Sequence, residues 1–239
     1  MLTRRLFCGC LPLAAGFISS ECAAQAQPPA CEVFTKSRQQ AETTETALAR
    51  LREGHARFLA GKTVNCDLLA QVKATAHGQA PFAVVVSCID SRVPVEIVFD
   101  QRIGDVFVAR VAGNFVNTDI IGSLEFATKV AGAKLIVVLG HSECGAVKGA
   151  IDDVRLGNLT ATLAHIKPAV KAVTAAGGPR SSKNGGFVQA VAEENVRLAA
   201  RQLVRRSAVI SEMVRKGEIG IATAMHDIAT GQVSFAAQA

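Results

Sequence analysis

The sequence predicts an α/β fold, a mostly parallel central sheet flanked by helices and preceded by an N-terminal helical arm. Two segments, Phe82-Ala-Val-Val-Val-Ser87 and Lys134-Leu-Ile-Val-Val-Leu-Gly140, are apolar almost throughout, the pattern of strands covered on both faces. The order of segments around them is strand, strand, helix, strand, which is that of a parallel sheet with a crossover. With 239 residues, of which 49% are hydrophobic, the chain can bury one full core, and residues 41–239 are assigned to a single domain.

The first residues are set aside before the fold is read. Thr3-Arg4-Arg5-Leu6-Phe7 precedes an apolar, small-residue stretch from Cys8 to Ile18, and Ala24-Gln25-Ala26 offers a small-x-small cleavage site. Residues 1–26 are thus expected to be a secretory signal of the twin-arginine kind, which places the mature protein in the periplasm with no membrane attachment after signal removal. Cleavage removes Cys8, Cys10 and Cys22 and leaves Cys31, Cys66, Cys88 and Cys144. The pair Cys31 and Cys66 is read either as a disulfide or as two buried thiols. The net charge of +6 is spread through the chain without interleaved aromatic residues, so no nucleic-acid partner is expected.

Residues 27–40 are rich in proline and polar groups and are expected to form a linker or extended arm. A helix follows, because Leu48, Leu51, Phe58 and Leu59 fall on one helical face and Gly61 supplies a stop. The first buried strand ends at Cys88, and Ile103–Arg110 is a second. Asp119 is expected to cap a helix through Val130 with Gly132 as terminator. The third strand ends at His141. Gly145–Val154 reads as a helix, Leu159–Val173 as a helix broken at Pro168, and Thr174–Gly186 as a loop. Gln189–Lys216 is expected to be the longest helix, with Val196, Ala199, Leu203 and Ile210 on one stripe. Ile219–Met225 and Gln232–Phe235 close the chain as a hairpin around Thr230-Gly231.

The chemistry collects where the two apolar runs end. Cys88-x-Asp90-x-Arg92 follows the first, and His141-x-x-Cys144 follows the second; in open α/β sheets, sites form at the carboxyl ends of parallel strands. Two thiolates and one imidazole make a zinc ligand set, and three protein ligands leave the fourth position for water or substrate. Alternation in an extended backbone would put Cys88, Asp90 and Arg92 on one side. Arg92 is then placed to hold Asp90 ionised in a bidentate pair. So held, Asp90 can orient a nucleophile, or it can swing in as the fourth ligand and shut the site. Of the remaining histidines, His55, His77, His165 and His226 lack ligand spacing, and His55 or His226 is the expected proton shuttle if one exists.

These motifs, together with Arg110-Val-Ala-Gly-Asn114, Gly122-Ser-Leu-Glu-Phe126 and Gly140-His141-x-x-Cys144-Gly145, resemble the beta-class carbonic anhydrases over roughly Ala47–Phe235. The resemblance implies Zn2+ on Cys88, His141 and Cys144, a catalytic pair Asp90 and Arg92, and reversible hydration of carbon dioxide to bicarbonate and a proton. It further implies that Gln79 and the Gly145 N–H bind substrate and that the protein is a homodimer or dimer of dimers with its site at a subunit interface. A carbon disulfide or carbonyl sulfide hydrolase of the same fold, and a non-catalytic zinc-binding homologue, are the alternative readings. Some members of that family carry a second bicarbonate pocket of tryptophan, arginine and tyrosine; Val85, Arg110 and His226 stand at those positions here. With only the arginine kept, the site is expected to stay open.

Overall fold

The computed structural model describes residues 31–174 and 178–236. The expected signal segment, and the part of the expected arm before Cys31, lie outside the described residues. Five strands form one sheet in the order β2-β1-β3-β4-β5: β1 (Ala83–Ser87), β2 (Val106–Arg110), β3 (Leu135–His141), β4 (Gly220–His226) and β5 (Val233–Phe235). The first four run parallel, and β5 turns back antiparallel on β4 as the closing hairpin.

Every residue of β1 and β3 is buried, and strand alternation sends their side chains to two different layers. Ala83, Val85, Leu135 and Val137 face one layer with Leu48 and Leu51 of α2 (Thr44–Leu59). Val84, Val86, Ile136 and Val138 face the other, against α5 (Thr118–Glu125), α9 (Gly185–Arg206) and α10 (Ala208–Arg215). A third apolar cluster joins Cys88 and Cys144 to α6 (Gly145–Ile151), α7 (Gly157–Ala164), α8 (Lys167–Ala172) and the first half of α9.

Several expected elements are corrected. The arm is no free linker from Phe34 onward: α1 (Lys36–Ala41) is capped by Thr35, Phe34 and Gln39 are buried, and Gln39 Nε2 donates to the carbonyls of Pro81 (2.6 Å) and Ala131 (3.0 Å). The apolar face of α2 is covered largely by the chain's own sheet and its neighbours; Leu51 is fully buried and only Leu59 of that face is clearly exposed. The cap of α5 is Asn117, whose side chain accepts from Ile120 N, not Asp119. The single long helix divides at Ser207, whose hydroxyl accepts from Ile210 N and donates to Glu125; Ser207 thereby ends α9 and caps α10. Pro168 lies in the first turn of α8, where its missing N–H costs nothing.

Three short elements complete the order: α3 (Leu68–Thr75), α4 (Val95–Val98) and a π-helical turn, Phe126–Val130, that carries on from α5. Cys31 and Cys66 are disulfide-bonded across a separation of 35 residues, tying the arm to the loop before α3. Closing a loop of this length contributes about 2–4 kcal/mol, chiefly by restricting the unfolded chain. Cys31→Ser/Cys66→Ser is expected to lower the urea-unfolding free energy by that amount. Intact-mass analysis after alkylation under denaturing, non-reducing conditions is expected to find Cys88 and Cys144 alkylated and Cys31 and Cys66 protected.

Candidate metal centre

Cys88 is the first residue past β1, His141 the last of β3, and Cys144 the residue before α6. All three are buried, and their ligand atoms lie within 4.8 Å of one another. The two sulfurs are 4.0 Å apart. A tetrahedral zinc with bonds of about 2.3 Å to sulfur sets its two sulfurs about 3.8 Å apart, so the spacing fits. His141 Nδ1 faces the carbonyl of Ser142 at 2.8 Å. A carbonyl only accepts, so Nδ1 carries the proton, leaving the Nε2 lone pair as the donor. That Nε2 is buried without a hydrogen-bond partner among the described residues, as a ligand atom awaiting a metal would be.

The sulfurs are prepared for charge. The Gly113 N–H donates to Cys88 Sγ at 3.2 Å. Cys88 is pulled down in pKa, first by its contact with Cys144 and then, against burial, by His141 and the backbone of Gly113 and Asp90. Cys144 is pushed up by the same contact with Cys88 and by burial, while the amides of Val147 and Ala146 at the start of α6 favour its thiolate. A divalent cation held by the two sulfurs would take both as thiolates, the form that the Gly113 N–H and the first amides of α6 favour.

Asp90 and Arg92 do come together, though by a different route from the one expected. The backbone leaves the strand after Ser87 and turns at Ser91 and Arg92. Asp90 Oδ1 accepts from the Arg92 backbone N at 3.0 Å and from Arg92 Nε at 2.9 Å, while Oδ2 accepts from Arg92 Nη2 at 2.7 Å. This bidentate pair, more than burial can oppose, holds the Asp90 carboxyl well below the usual carboxylate range. Oδ2 also lies 3.9 Å from His141 Nε2, so the carboxylate borders the donor set while its fork partner keeps it aimed.

Three supports surround these groups. Arg110 on β2 donates from Nε to the Cys88 carbonyl (2.8 Å) and from Nη2 to the Asp90 carbonyl (2.6 Å), fixing the loop between them. Its guanidinium is thus committed to protein; Val85 is sealed in the core and His226 is buried beside His141 in the strand register. Gly113 has φ +86°, and a Cβ there would come within 2.4 Å of Ile166 Cδ1; only glycine lets its N–H reach the sulfur. Asn195, buried on α9, donates to the Gly113 carbonyl at 2.7 Å. The sequence reading passed over Gly113 as a sulfur donor and Asn195 altogether, although one polar residue on the apolar stripe of α9 was the available signal.

The remaining expected residues lie at varied distances from the donor set. Gln79 is exposed, four residues ahead of β1 and so at the amino end of the sheet, away from its own chain's donor set. Gly145 opens α6 immediately after Cys144 and is exposed. His55 is no shuttle: it is buried, with Nδ1 on the Val98 carbonyl and Nε2 accepting from Val233 N. His226 is also buried, and its ring nitrogens have no hydrogen-bond partner among the described residues. Glu143 is exposed and paired with Lys148.

Comparison with known proteins agrees with this geometry. Residues 83–233 match the carbonic anhydrase family model. The chain is 36% identical over 187 residues to carbonic anhydrase 2 of Mycobacterium tuberculosis, covering 76% of this chain and 87% of that protein. It is 34% identical over 191 residues to the carbonic anhydrase of Mycolicibacterium smegmatis, covering 77% and 89%. Among solved structures, a tetrameric beta-carbonic anhydrase from Sordaria macrospora superimposes with a TM-score of 0.57 at 26% identity, over 80% of this chain and 96% of that one. The Coccomyxa beta-carbonic anhydrase, solved with acetazolamide, shares the fold at a TM-score of 0.62 and 22% identity, over 81% and 86%. From the family match, the length of the shared sequence and the common sheet, the chain belongs to the carbonic anhydrase family, in its beta class.

Proposed function

We propose that this protein catalyses the reversible hydration of carbon dioxide with Zn2+ held by Cys88 Sγ, His141 Nε2 and Cys144 Sγ. The observation that carries the reading is a buried two-sulfur, one-imidazole donor set bordered by a carboxylate already locked on its arginine. Bound there, zinc supplies a Lewis acid that makes water nucleophilic at neutral pH. Asp90 is ionised and can only accept hydrogen bonds; its Oδ2, fixed by Arg92, accepts a hydrogen bond from the attacking hydroxyl and so directs the oxygen lone pair at carbon. Arg92 holds Asp90 off the donor set, which would leave room for water and substrate beside a metal held there. The exposed Gly145 N–H, beside Cys144, is assigned to a substrate oxygen.

The position of Gln79 favours a homodimer or dimer of dimers. It cannot serve its own chain's site from the amino end of the sheet, so a substrate role requires the site of a second copy. An apolar surface is available for such a contact: β2 is an edge strand, and near it Phe126, Val130 and Ile103 are exposed beside a cavity of about 560 Å3 lined by Phe107, Val108 and Phe126. Export to the periplasm by the twin-arginine route rests on Arg4-Arg5 and Ala24-Gln25-Ala26, and the Cys31–Cys66 disulfide suits an oxidising compartment. Among the described residues, no helix is long and apolar enough to cross a membrane.

Purified protein is expected to carry about one zinc per chain. Asp90→Ala and Arg92→Ala are expected to keep that metal and to lose hydration activity about 100-fold or more. Stopped-flow hydration assays on metal-analysed protein decide this, and near-normal rates in zinc-loaded Asp90→Ala would contradict the role of the pair.

A pH dependence follows from the lowered Asp90 pKa. A carboxylate depressed on folding adds stability above its unfolded value of about 3.9, and that stability is lost as pH falls toward the folded value. In chelator-stripped protein, the urea midpoint of wild type is expected to exceed that of Arg92→Ala above about pH 5, and the gap to narrow as the solution is acidified.

A further inference from the structure

At the amino ends of the strands, opposite the metal centre, Arg38, Arg50, Arg57 and Arg102 converge on a cavity of about 200 Å3. All four are only partly exposed. Three have a carboxylate behind them: Arg50 Nε meets Glu42 at 2.6 Å, Arg57 Nε meets Asp100 at 2.5 Å, and Arg102 Nε meets Asp105 at 3.1 Å. These acids are sunk in the protein, with side chains 4%, 9% and 0% exposed. The wall therefore presents four guanidiniums and keeps three carboxylates at its back.

Arg38 is the surplus charge, for among the described residues it makes no ion pair. It stacks on the Phe34 ring at 4.8 Å, and Arg50 lies over the same ring at 5.0 Å, so one aromatic surface holds two cations at the cavity. Their common field is felt inside the protein. Burial pushes the Asp105 carboxyl up, while Arg102, Arg38 and Arg50 all pull it down. The terminal nitrogens of Arg38 and Arg50 donate no protein hydrogen bond among the described residues. The walls are also fixed in advance: the Cys31–Cys66 disulfide ties the arm carrying Phe34 and Arg38 to the loop carrying Val64, and Val64 N donates to Asp100 Oδ1 at 3.2 Å. Glu53 stands exposed on the rim.

We propose that this arginine pocket binds a small tetrahedral oxyanion, either inorganic phosphate or the phosphate group of a small ester. Its volume is below the roughly 300–1,000 Å3 of pockets for drug-sized ligands, which selects an ion. Guanidinium forks match the oxygen spacing of such an anion and bind it through paired N–H donors.

The test is calorimetric titration of the full, zinc-loaded chain with inorganic phosphate at constant ionic strength. Saturable binding is expected, with sulfate competing. Arg38→Gln is expected to weaken it about tenfold, the loss of one charge-assisted contact. Arg50→Lys, which keeps the charge and loses the fork, is expected to weaken it less, and Glu53→Gln to tighten it by removing a like charge from the rim. Glycerol phosphate binding as well as phosphate extends the site to esters; failure of the ester alone assigns it to the free ion. Absence of saturable binding overturns the proposal, as does phosphate binding that Arg38→Gln leaves unchanged, since that places the anion elsewhere, the metal centre included. Arg38 makes no ion pair among the described residues, and its stacking on Phe34 is the contact the variant removes; an unchanged urea midpoint, zinc content and hydration rate in phosphate-free buffer show that the fold is kept.

Discussion

The metal centre depends on the parallel pairing of β1 with β3. In that register Val86 stands opposite Val138, so Cys88 and His141 leave their strands at nearly the same level. Side chains alternate along each strand, and a slip of one residue would send His141 to the other face while driving the apolar partners of both layers out of place. Burial of every β1 and β3 residue on both sides is thus what fixes the donor geometry. The core and the site are held by the same register.

Around that register the protein spends buried polar contacts on aim. Asn195 on α9 fixes Gly113, Gly113 fixes Cys88, and Arg110 on β2 fixes the carbonyls on either side of Ile89. Arg110 and Gly113 reach the short loop after β1 directly, and Asn195 reaches it through Gly113, so a loop outside regular structure is held from β2 and from α9. Gly140 shows the same economy of space on β3: a Cβ there would come within 2.4 Å of Val196 Cγ2, so glycine lets α9 approach the strand that ends in His141. A carboxylate that can reach a metal is a hazard as well as a tool, and the two-bond fork of Arg92 decides which it is by holding Asp90 beside the donors.

The parts of this arrangement legible in the sequence were those with a period or a spacing. Apolar runs gave β1 and β3, and Cys88, Asp90, Arg92, His141 and Cys144 could be read because they stand just past those runs. What escaped reading depended on contacts distant in sequence. Phe34 and Gln39 look like linker residues until Pro81 and Ala131 supply acceptors for Gln39. Ser207 is one hydroxyl in an unbroken helical pattern, and only Glu125, far along the chain, makes it a break. Gln79 sits next to β1 in sequence, yet the strand's direction carries it away from the site of its own chain. The tie between Cys31 and Cys66 needed three dimensions to choose it over two separate thiols.

The central claim is that Cys88, His141 and Cys144 bind the metal while Arg92 keeps Asp90 away from it. A crystal structure of the zinc-loaded protein grown near neutral pH tests this most directly. The account predicts zinc on Cys88 Sγ, His141 Nε2 and Cys144 Sγ, with both Asp90 oxygens still on the Arg92 guanidinium. Zinc coordinated by Asp90, or a metal lacking any one of those three ligands, would contradict it.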